Sequence, residues 1–386
     1  MLESGPGESR RRGRLHDRDQ GPHVGEHPGR IGAVPRRQQL EHAHAVECSR
    51  HPARPPGARG PARRRRRAGA ALGVPHRRIE WPPRRVRSRV SRPGCEATPV
   101  TTTGPTQHFI ESQRLRLSYW AWGERSRPPL ILLHGKRDHA RSWDALAAEL
   151  AGEWHVAAAD LRGHGDSQWA IGSHYAFADY IADLVALIEA LGAPASLVGH
   201  SGGGLVATLT AGLYPGHVRR VVAIEGTGAH LQRLPRAGPD AMRDWVDHTR
   251  GLENRPGRIL STVRAAADRM RRGNPRLSPG RAQELAAHAV RPAEGGYRWK
   301  FDPWVDSSNP VELRPEEAPP IWARVGCPVL LLVGEEAAER GVQSPGDARY
   351  FPDARAVVVA DAGHWVHHDQ PAAVLEAIRR FADGDL

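Results

Sequence analysis

A serine flanked by glycines is the residue best placed to act as a nucleophile. Gly199-His200-Ser201-Gly202-Gly203 follows an apolar run that predicts a strand and precedes a stretch, 202–213, that predicts a helix. In such a strand–turn–helix, the glycines allow a tight turn that exposes the serine hydroxyl at the carboxyl end of the strand. The helix N-terminus favours negative charge that develops beside it. The pattern predicts nucleophilic attack by Ser201.

A serine hydroxyl is a weak nucleophile and needs a general base. His364 lies in Asp361-Ala-Gly-His-Trp365, directly after the last predicted strand, where Gly363 leaves the loop free to aim the imidazole. Serine before histidine is also the expected chain order. Because the chain has 21 histidines, position rather than residue type favours His364. We expect the nearby His367 and His368 to lie at the surface or to support the site from behind.

An acyl-transfer site also needs two backbone N–H groups that stabilise the developing oxyanion. Gly202, directly after the serine, is expected to supply one of them. The second is expected from Lys136, because the apolar run that ends at Leu133 leads into His134 and Gly135, and Gly135 allows a sharp turn. The alternative is that this segment is an ordinary turn.

These residues are positioned by a predicted alternation of strands and helices, which indicates a mostly parallel sheet with helices on both faces. The apolar runs predict eight strands, at 108–111, 116–122, 129–133, 155–159, 195–199, 218–225, 328–334 and 354–360. Helices are predicted at 142–150, with Ser142 as the N-cap, and at 176–191, 202–213 and 371–382.

A long interlude without a strong strand signal separates the sixth and seventh predicted strands. Residues 227–320 predict helices at 240–250, 258–272 and 281–290. We interpret this interlude as a helical cap over one end of the sheet. The catalytic core is then formed by residues 105–226 and 321–386.

The net charge of +12 arises entirely from residues 1–104. This segment contains 23 arginines, no lysine and 9 acidic residues, so it carries +14 and the remainder carries −2. It lacks Phe and Tyr and has no helical or strand period, which predicts a disordered extension.

Two interpretations of this extension differ in the partner that they imply. One is a tail that binds nucleic acid through its arginines. The other is a GC-rich stretch translated from a mis-assigned start, with the true start near Val100, since the whole chain has two lysines. We favour the second, under which nucleic acid is not a partner.

Composition also excludes several classes of protein. Three cysteines are too few for a disulfide framework. No apolar run approaches the roughly 18 residues of a membrane helix, and no N-terminal apolar stretch predicts a secretory signal. We therefore expect a cytoplasmic enzyme that acts on a small-molecule substrate, without a membrane partner, metal or cofactor. The oligomeric state stays open.

Several motifs resemble the α/β-hydrolase superfamily over roughly residues 107–386. They are Leu132-Leu-His-Gly135, Asp160-Leu-Arg-Gly-His-Gly-Asp-Ser167, the turn at 199–203 and Gly363-His-Trp365. The resemblance implies an α/β-hydrolase fold with a catalytic triad, and a structural role for Asp160 and Asp166. The segments 134–143 and 222–226 are more narrowly similar to a group of uncharacterised bacterial hydrolases.

The sequence departs from the family pattern at the third member of the triad. The resemblance implies an Asp three residues after Gly334, but Ala337 stands there. One alternative is that Glu335 or Glu336 takes the role. The other is Glu225 at the end of the preceding strand, a position that some haloalkane dehalogenases of this fold use. We favour Glu225, because an unpaired carboxylate at the end of a buried strand would be costly.

Serine at the turn also limits the range of reactions that the site can catalyse. Dehalogenases and epoxide hydrolases of this fold attack with Asp, so Ser201 favours acyl transfer to water through an acyl-enzyme. We expect a hydrolase of carboxylic esters. The alternatives are a carbon–carbon bond hydrolase or a cofactor-free perhydrolase with the same triad, and a non-catalytic hydrolase-like binding protein.

The substrate pocket is expected between the serine and the cap. Asp138 and His139 are candidates for its entrance, and Lys136 for attracting an acidic substrate. Aromatic residues are candidates for its wall, namely Trp143, Trp245, Tyr297, Trp299, Phe301 and Trp304. The alternative is that these aromatics pack the cap onto the core.

Overall fold

The computed structural model describes residues 104–172, 174–227, 238–254, 257–307, 312–340 and 344–385. The predicted N-terminal extension, apart from Gly104, lies outside these residues, and so do both interpretations of its function.

Eight strands form one central sheet, which confirms the predicted fold class. They are β1 (Thr106–Ser112), β2 (Leu115–Trp122), β3 (Pro129–Leu133), β4 (His155–Ala159), β5 (Ala195–His200), β6 (Val218–Ile224), β9 (Val329–Gly334) and β10 (Ala354–Val359). Their order in space is β1-β2-β4-β3-β5-β6-β9-β10. Strand β2 runs antiparallel to both neighbours, and every other pair in this sheet is parallel.

The central strands are continuous apolar runs because helices cover both faces of the sheet. In β3, Ile131 and Leu133 belong to the core on one face, and Leu130 and Leu132 to the core on the other. The first face is covered by α2 (Phe177–Leu191) and α3 (Gly202–Leu213), and the second by α1 (Asp144–Leu150) and α10 (Pro371–Asp383). Since β3, β5, β6 and β9 are parallel, the residues that follow them meet at one edge of the sheet.

Helix α1 begins two residues later than predicted, and Ser142 does not cap it. Ala140–Trp143 form a 3₁₀ turn, within which the N–H of Ser142 donates to the His139 carbonyl at 3.1 Å. Ser142 therefore lies inside a turn, and α1 starts at Asp144 without a side-chain cap.

The interlude between β6 and β9 contains three helices, as predicted, and a hairpin that was not predicted. The second helix begins at Val263 instead of residue 258, because Leu260 forms a β-bridge with Tyr297. The helices are α4 (Pro239–Glu253), α5 (Val263–Gly273) and α6 (Pro279–Ala289). The hairpin pairs β7 (Val290–Ala293) with β8 (Gly296–Trp299), and the chain turns at Gly295, whose φ is +78°. Buried residues of α5 and α6 form a small core of their own. We call the described residues of 238–307 the insertion.

Three short helices complete the described chain. They are α7 (Ala318–Trp322), α8 (Glu335–Glu339), which begins directly after β9, and α9 (Val366–Asp369), which follows the loop after β10. Among the described residues, no helix has the length and apolar character needed to cross a membrane.

Candidate active site

Ser201 occupies a strained turn between β5 and α3. Its backbone has φ +52° and ψ −119°, a conformation that costs energy for a residue with a side chain. A Cβ atom at Gly199 would lie 2.4 Å from the Gly203 carbonyl oxygen, and one at Gly203 would lie 2.5 Å from the His134 carbonyl oxygen. Close backbone packing therefore requires glycine at both outer positions, whereas Gly202 has open space at the same point.

The imidazole of His364 lies against the serine. Its Nε2 is 3.1 Å from Ser201 Oγ, within hydrogen-bond distance. His200 holds the loop of His364 in place, since its Nε2 lies 2.9 Å from the His364 carbonyl oxygen. A base in this position can remove the hydroxyl proton during attack.

Glu225 lies on the opposite side of the imidazole. Its Oε2 is 3.5 Å from His364 Nδ1, and its side chain is 1% exposed. Its Oε1 accepts a hydrogen bond of 2.7 Å from the Gly334 N–H. A φ of +52° at Glu225 turns the chain at the end of β6 so that the carboxylate faces the histidine. The structure thus brings Ser201, His364 and Glu225 together in the geometry of a triad.

The two alternative acids are engaged elsewhere. Glu335 is exposed, and its Oε2 accepts from the Asp361 N–H at 3.2 Å. Glu336 forms an ion pair with Arg276 of the insertion, whose Nε lies 3.0 Å from Glu336 Oε1. Helix α8 begins at Glu335, and both carboxylates bind groups other than the imidazole.

The expected oxyanion donors lie on either side of Ser201. Gly202 is the first residue of α3, so its N–H has no partner within the helix. Gly135 packs so closely that a Cβ atom on it would lie 3.1 Å from Ser201 Cβ, which places the following residue, Lys136, beside the serine. The Lys136 side chain is turned toward the insertion, where its Nζ lies 3.0 Å from Asp306 Oδ1.

A cavity of about 530 Å³ opens in front of Ser201 and His364. One wall is the loop 135–138, and a second comes from α9 and the residue before it. The insertion supplies the rest, namely Arg269, Met270, Gly273, Asn274, Leu277, Leu285 and Asp306. The cavity therefore combines a polar floor with a partly apolar roof. Of the predicted pocket residues, Asp138 is among those that line it.

The other predicted pocket residues lie away from the serine. Trp143 is fully buried and stacks on His367 at 4.5 Å, because it packs α1 onto the sheet. His139 is also buried, with Nε2 3.1 Å from the Leu285 carbonyl oxygen. Trp304 lines a separate cavity of about 450 Å³, and Trp245 lies in α4 and is not among the described residues that line either cavity.

The other aromatic residues predicted to line the pocket also lie outside the cavity at Ser201. Trp299 and Phe301 line the second cavity together with Trp304. Tyr297 packs against the small core of the insertion. The sequence did not indicate Met270, Leu277 or Leu285 as lining residues. Their spacing marks them as apolar positions, but it does not say which end of the sheet the insertion covers.

Buried polar groups surround the site. His367 is 2% exposed and therefore does not lie at the surface. Burial lowers its pKa well below the usual value for histidine. Burial also raises the pKa of Asp138 to about 7. Asp160 accepts from the Ala140 N–H at 2.8 Å and the Asp166 N–H at 3.1 Å, contacts that hold two loops together.

The chain is similar to several known hydrolases. A serine hydrolase-like protein of Danio rerio is 29% identical over 275 residues, which cover 67% of this chain and 83% of that protein. Esterase YbfF of Escherichia coli (strain K12) is 26% identical, covering 68% of this chain and 95% of the esterase. The solved structure of an E-2-(acetamidomethylene)succinate hydrolase is 25% identical to this chain, with a TM-score of 0.57. The alignment covers 72% of this chain and 99% of the hydrolase chain.

The family of the chain is shown by its match to a family sequence profile. The sequence profile described as the alpha/beta hydrolase family matches residues 130–377, which is more than half of the chain and includes Ser201, Glu225 and His364. The mostly parallel eight-stranded sheet agrees with this match. The chain therefore belongs to the alpha/beta hydrolase family.

Proposed function

We propose that this chain is a serine hydrolase that cleaves small-molecule carboxylic esters through an acyl-enzyme on Ser201. The observation that carries the proposal is the contact of His364 Nε2 with Ser201 Oγ at 3.1 Å, with Glu225 behind the imidazole. The name of the E. coli relative, an esterase, supports the same reaction. A cavity of about 530 Å³ suits a small organic substrate.

The reaction follows from this arrangement. His364 Nε2 takes the hydroxyl proton while Ser201 Oγ attacks the ester carbonyl carbon. The N–H groups of Gly202 and Lys136 donate to the oxyanion that forms. His364 then gives its proton to the departing alcohol, and the acyl group stays on Ser201. A water molecule, deprotonated by the same histidine, attacks the acyl carbonyl and releases the acid.

Glu225 acts through the histidine. A carboxylate beside Nδ1 selects the tautomer that leaves Nε2 free to accept a proton, and it stabilises the imidazolium that forms. The Gly334 N–H fixes one carboxylate oxygen, so the other stays directed at His364. Glu225 is therefore the triad acid in this proposal.

The test is turnover of p-nitrophenyl esters of increasing acyl length by the full chain. We expect hydrolysis by the wild-type protein, and a loss of on the order of 10⁴-fold or more for Ser201→Ala. The matched control is Ser112→Ala, which removes a buried hydroxyl at the end of β1, outside the cavity. Turnover that survives Ser201→Ala would reject the mechanism. Absence of ester turnover, together with cleavage of a β-diketone, would favour a carbon–carbon bond hydrolase instead.

A further inference from the structure

Three side chains beside the cavity form a cluster that the proposed reaction does not use. Asp138 lies in the loop after β3, and His367 and His368 lie in α9. One potential ligand atom from each lies within 4.8 Å of the others. Two imidazoles and a carboxylate are a donor set that proteins use for zinc and related ions.

Two of the three side chains, His367 and Asp138, have buried polar atoms without the hydrogen bonds that buried groups normally form. Neither ring nitrogen of His367 has a hydrogen-bond partner within the described part of the chain, although the residue is 2% exposed. The Oδ1 atom of Asp138 accepts from the His139 N–H at 2.9 Å. Its Oδ2 atom is buried, and its polar neighbour is the Ser142 hydroxyl, which forms no hydrogen bond of normal geometry with it. The unpartnered imidazole of His367 and this weakly held carboxylate oxygen point to a ligand.

We propose that Asp138, His367 and His368 bind a divalent transition-metal ion, with Zn²⁺ as the best match, and that the bound ion inhibits the enzyme. Asp138 and His368 line the same cavity as Ser201 and His364, so an ion held there obstructs the substrate. The positive charge also disfavours the imidazolium that His364 must form. The inhibition rests on the proposed function, whereas the binding does not.

Two features of the surroundings set the strength of the site. Zinc holds its donors at about 2.1 Å, hence roughly 3.4 Å apart in a tetrahedron. Donors that lie up to 4.8 Å apart must therefore approach each other by up to about 1.4 Å. Arg281 is a cation whose charge acts on all three residues. It is itself bound to Glu284 at 3.1 Å and to the Ser142 carbonyl at 3.0 Å. Its charge opposes a bound ion without occupying the site.

The binding test is calorimetric titration of ZnCl₂ into the chelator-treated full chain. Because the chain has 21 histidines, the site is identified by comparing the zinc stoichiometry of the wild-type protein with that of single-residue variants. We expect His368→Gln to lose one zinc equivalent, and the matched control His217→Gln, far along the chain in the turn after α3, to keep it. Equal zinc stoichiometry and affinity in the wild-type protein and His368→Gln would overturn the proposal.

A second variant keeps all three proposed ligands, so it tests the site without removing a ligand that the local fold could also need. Arg281→Gln removes the opposing charge, and we expect it to lower the dissociation constant for Zn²⁺ by about fivefold. An unchanged or weaker affinity contradicts the assignment of this site.

Inhibition is measured as the rate of p-nitrophenyl ester hydrolysis against metal concentration, each variant relative to its own metal-free rate. We expect Zn²⁺ to inhibit the wild-type protein and to need at least tenfold higher concentration for His368→Gln. Mg²⁺, which prefers oxygen ligands, should not inhibit. Zinc binding without inhibition would contradict the proposed inhibition and leave the proposed binding site standing. Failure of the proposed function would appear as absence of ester turnover, and the titration would still decide the site.

Discussion

Two neighbouring parallel strands, β6 and β9, end beside His364, and each is followed by carboxylates that were candidates for the triad. Their registers match, with Ile224 opposite Leu332. After β6, Glu225 is buried and faces the imidazole at 3.5 Å. After β9, Glu335 and Glu336 lie on a helix, exposed or half-exposed, and bind other groups.

The difference lies in the backbone rather than in the side chains. Glu225 has a positive φ at the end of β6, and its carboxylate faces His364. Helix α8 begins directly at the end of β9, and its first two carboxylates bind other groups. The end of β9 nevertheless contributes to the site, because the Gly334 N–H holds Glu225. One strand end supplies the acid in our account, and the other supplies the donor that orients it.

Among changes at the two strand ends, the largest effect is expected from Glu225→Gln. An amide cannot stabilise the imidazolium or select its tautomer as a carboxylate does, so kcat should fall by about 10³- to 10⁴-fold. Steady-state kinetics with a p-nitrophenyl ester measure this loss, and Glu335→Gln is the matched control. Full activity of Glu225→Gln, or a comparable loss in Glu335→Gln, would reverse the assignment of the two strand ends.

The contribution of β9 is tested by Gly334→Ala. A Cβ atom there would lie 2.3 Å from the Gly363 carbonyl oxygen, so the loop that carries His364 must move. We expect a loss of kcat of about 100-fold, since a displacement of about 1 Å at a catalytic group has effects of this size. Gly280→Ala, in open space on α6, controls for the added methyl group. A Gly334→Ala protein with wild-type kinetics would show that this strand end does not orient the site.

Glu225→Asp measures how closely the acid must approach. The shorter side chain keeps the charge but widens the 3.5 Å separation from His364 Nδ1. We expect kcat to fall by about 10-fold, with KM little changed, because the interaction strengthens in the transition state. The result contradicts the account if Glu225→Asp loses as much activity as Glu225→Gln.

The smallest effect is expected from Glu336→Gln. Its partner Arg276 and the carboxylate itself are both partly solvent-exposed, and exposed ion pairs contribute little to stability. We expect kcat/KM within about twofold of wild type and an almost unchanged melting temperature. A large loss of activity with an unchanged melting temperature would give this residue a role that the structure does not.

The parts of the site that short sequence patterns determine could be predicted. The glycines around Ser201 are required by local backbone packing, and His364 and Glu225 each follow a strand whose apolar run is clear. Ser142 was wrongly predicted as a cap, because a serine at a helix start looks the same whether or not a 3₁₀ turn precedes the helix.

The parts that depend on packing between distant segments could not be predicted. The cavity wall comes from Met270, Leu277 and Leu285 instead of the aromatic residues, because the orientation of the insertion is a tertiary property. The burial of His367 depends on Trp143, which lies more than 200 residues earlier in the chain. The hairpin β7–β8 has strands of four residues each, too short for a clear period.

The central claim is that an ester transfers its acyl group to Ser201 before water releases it. Rapid acid quench of the full chain with a p-nitrophenyl ester, followed by intact and peptide mass spectrometry, tests this directly. Our account predicts one added acyl group on the peptide that contains Ser201, and no added group in Ser201→Ala. An acyl group on another residue, or wild-type turnover by Ser201→Ala, would contradict it.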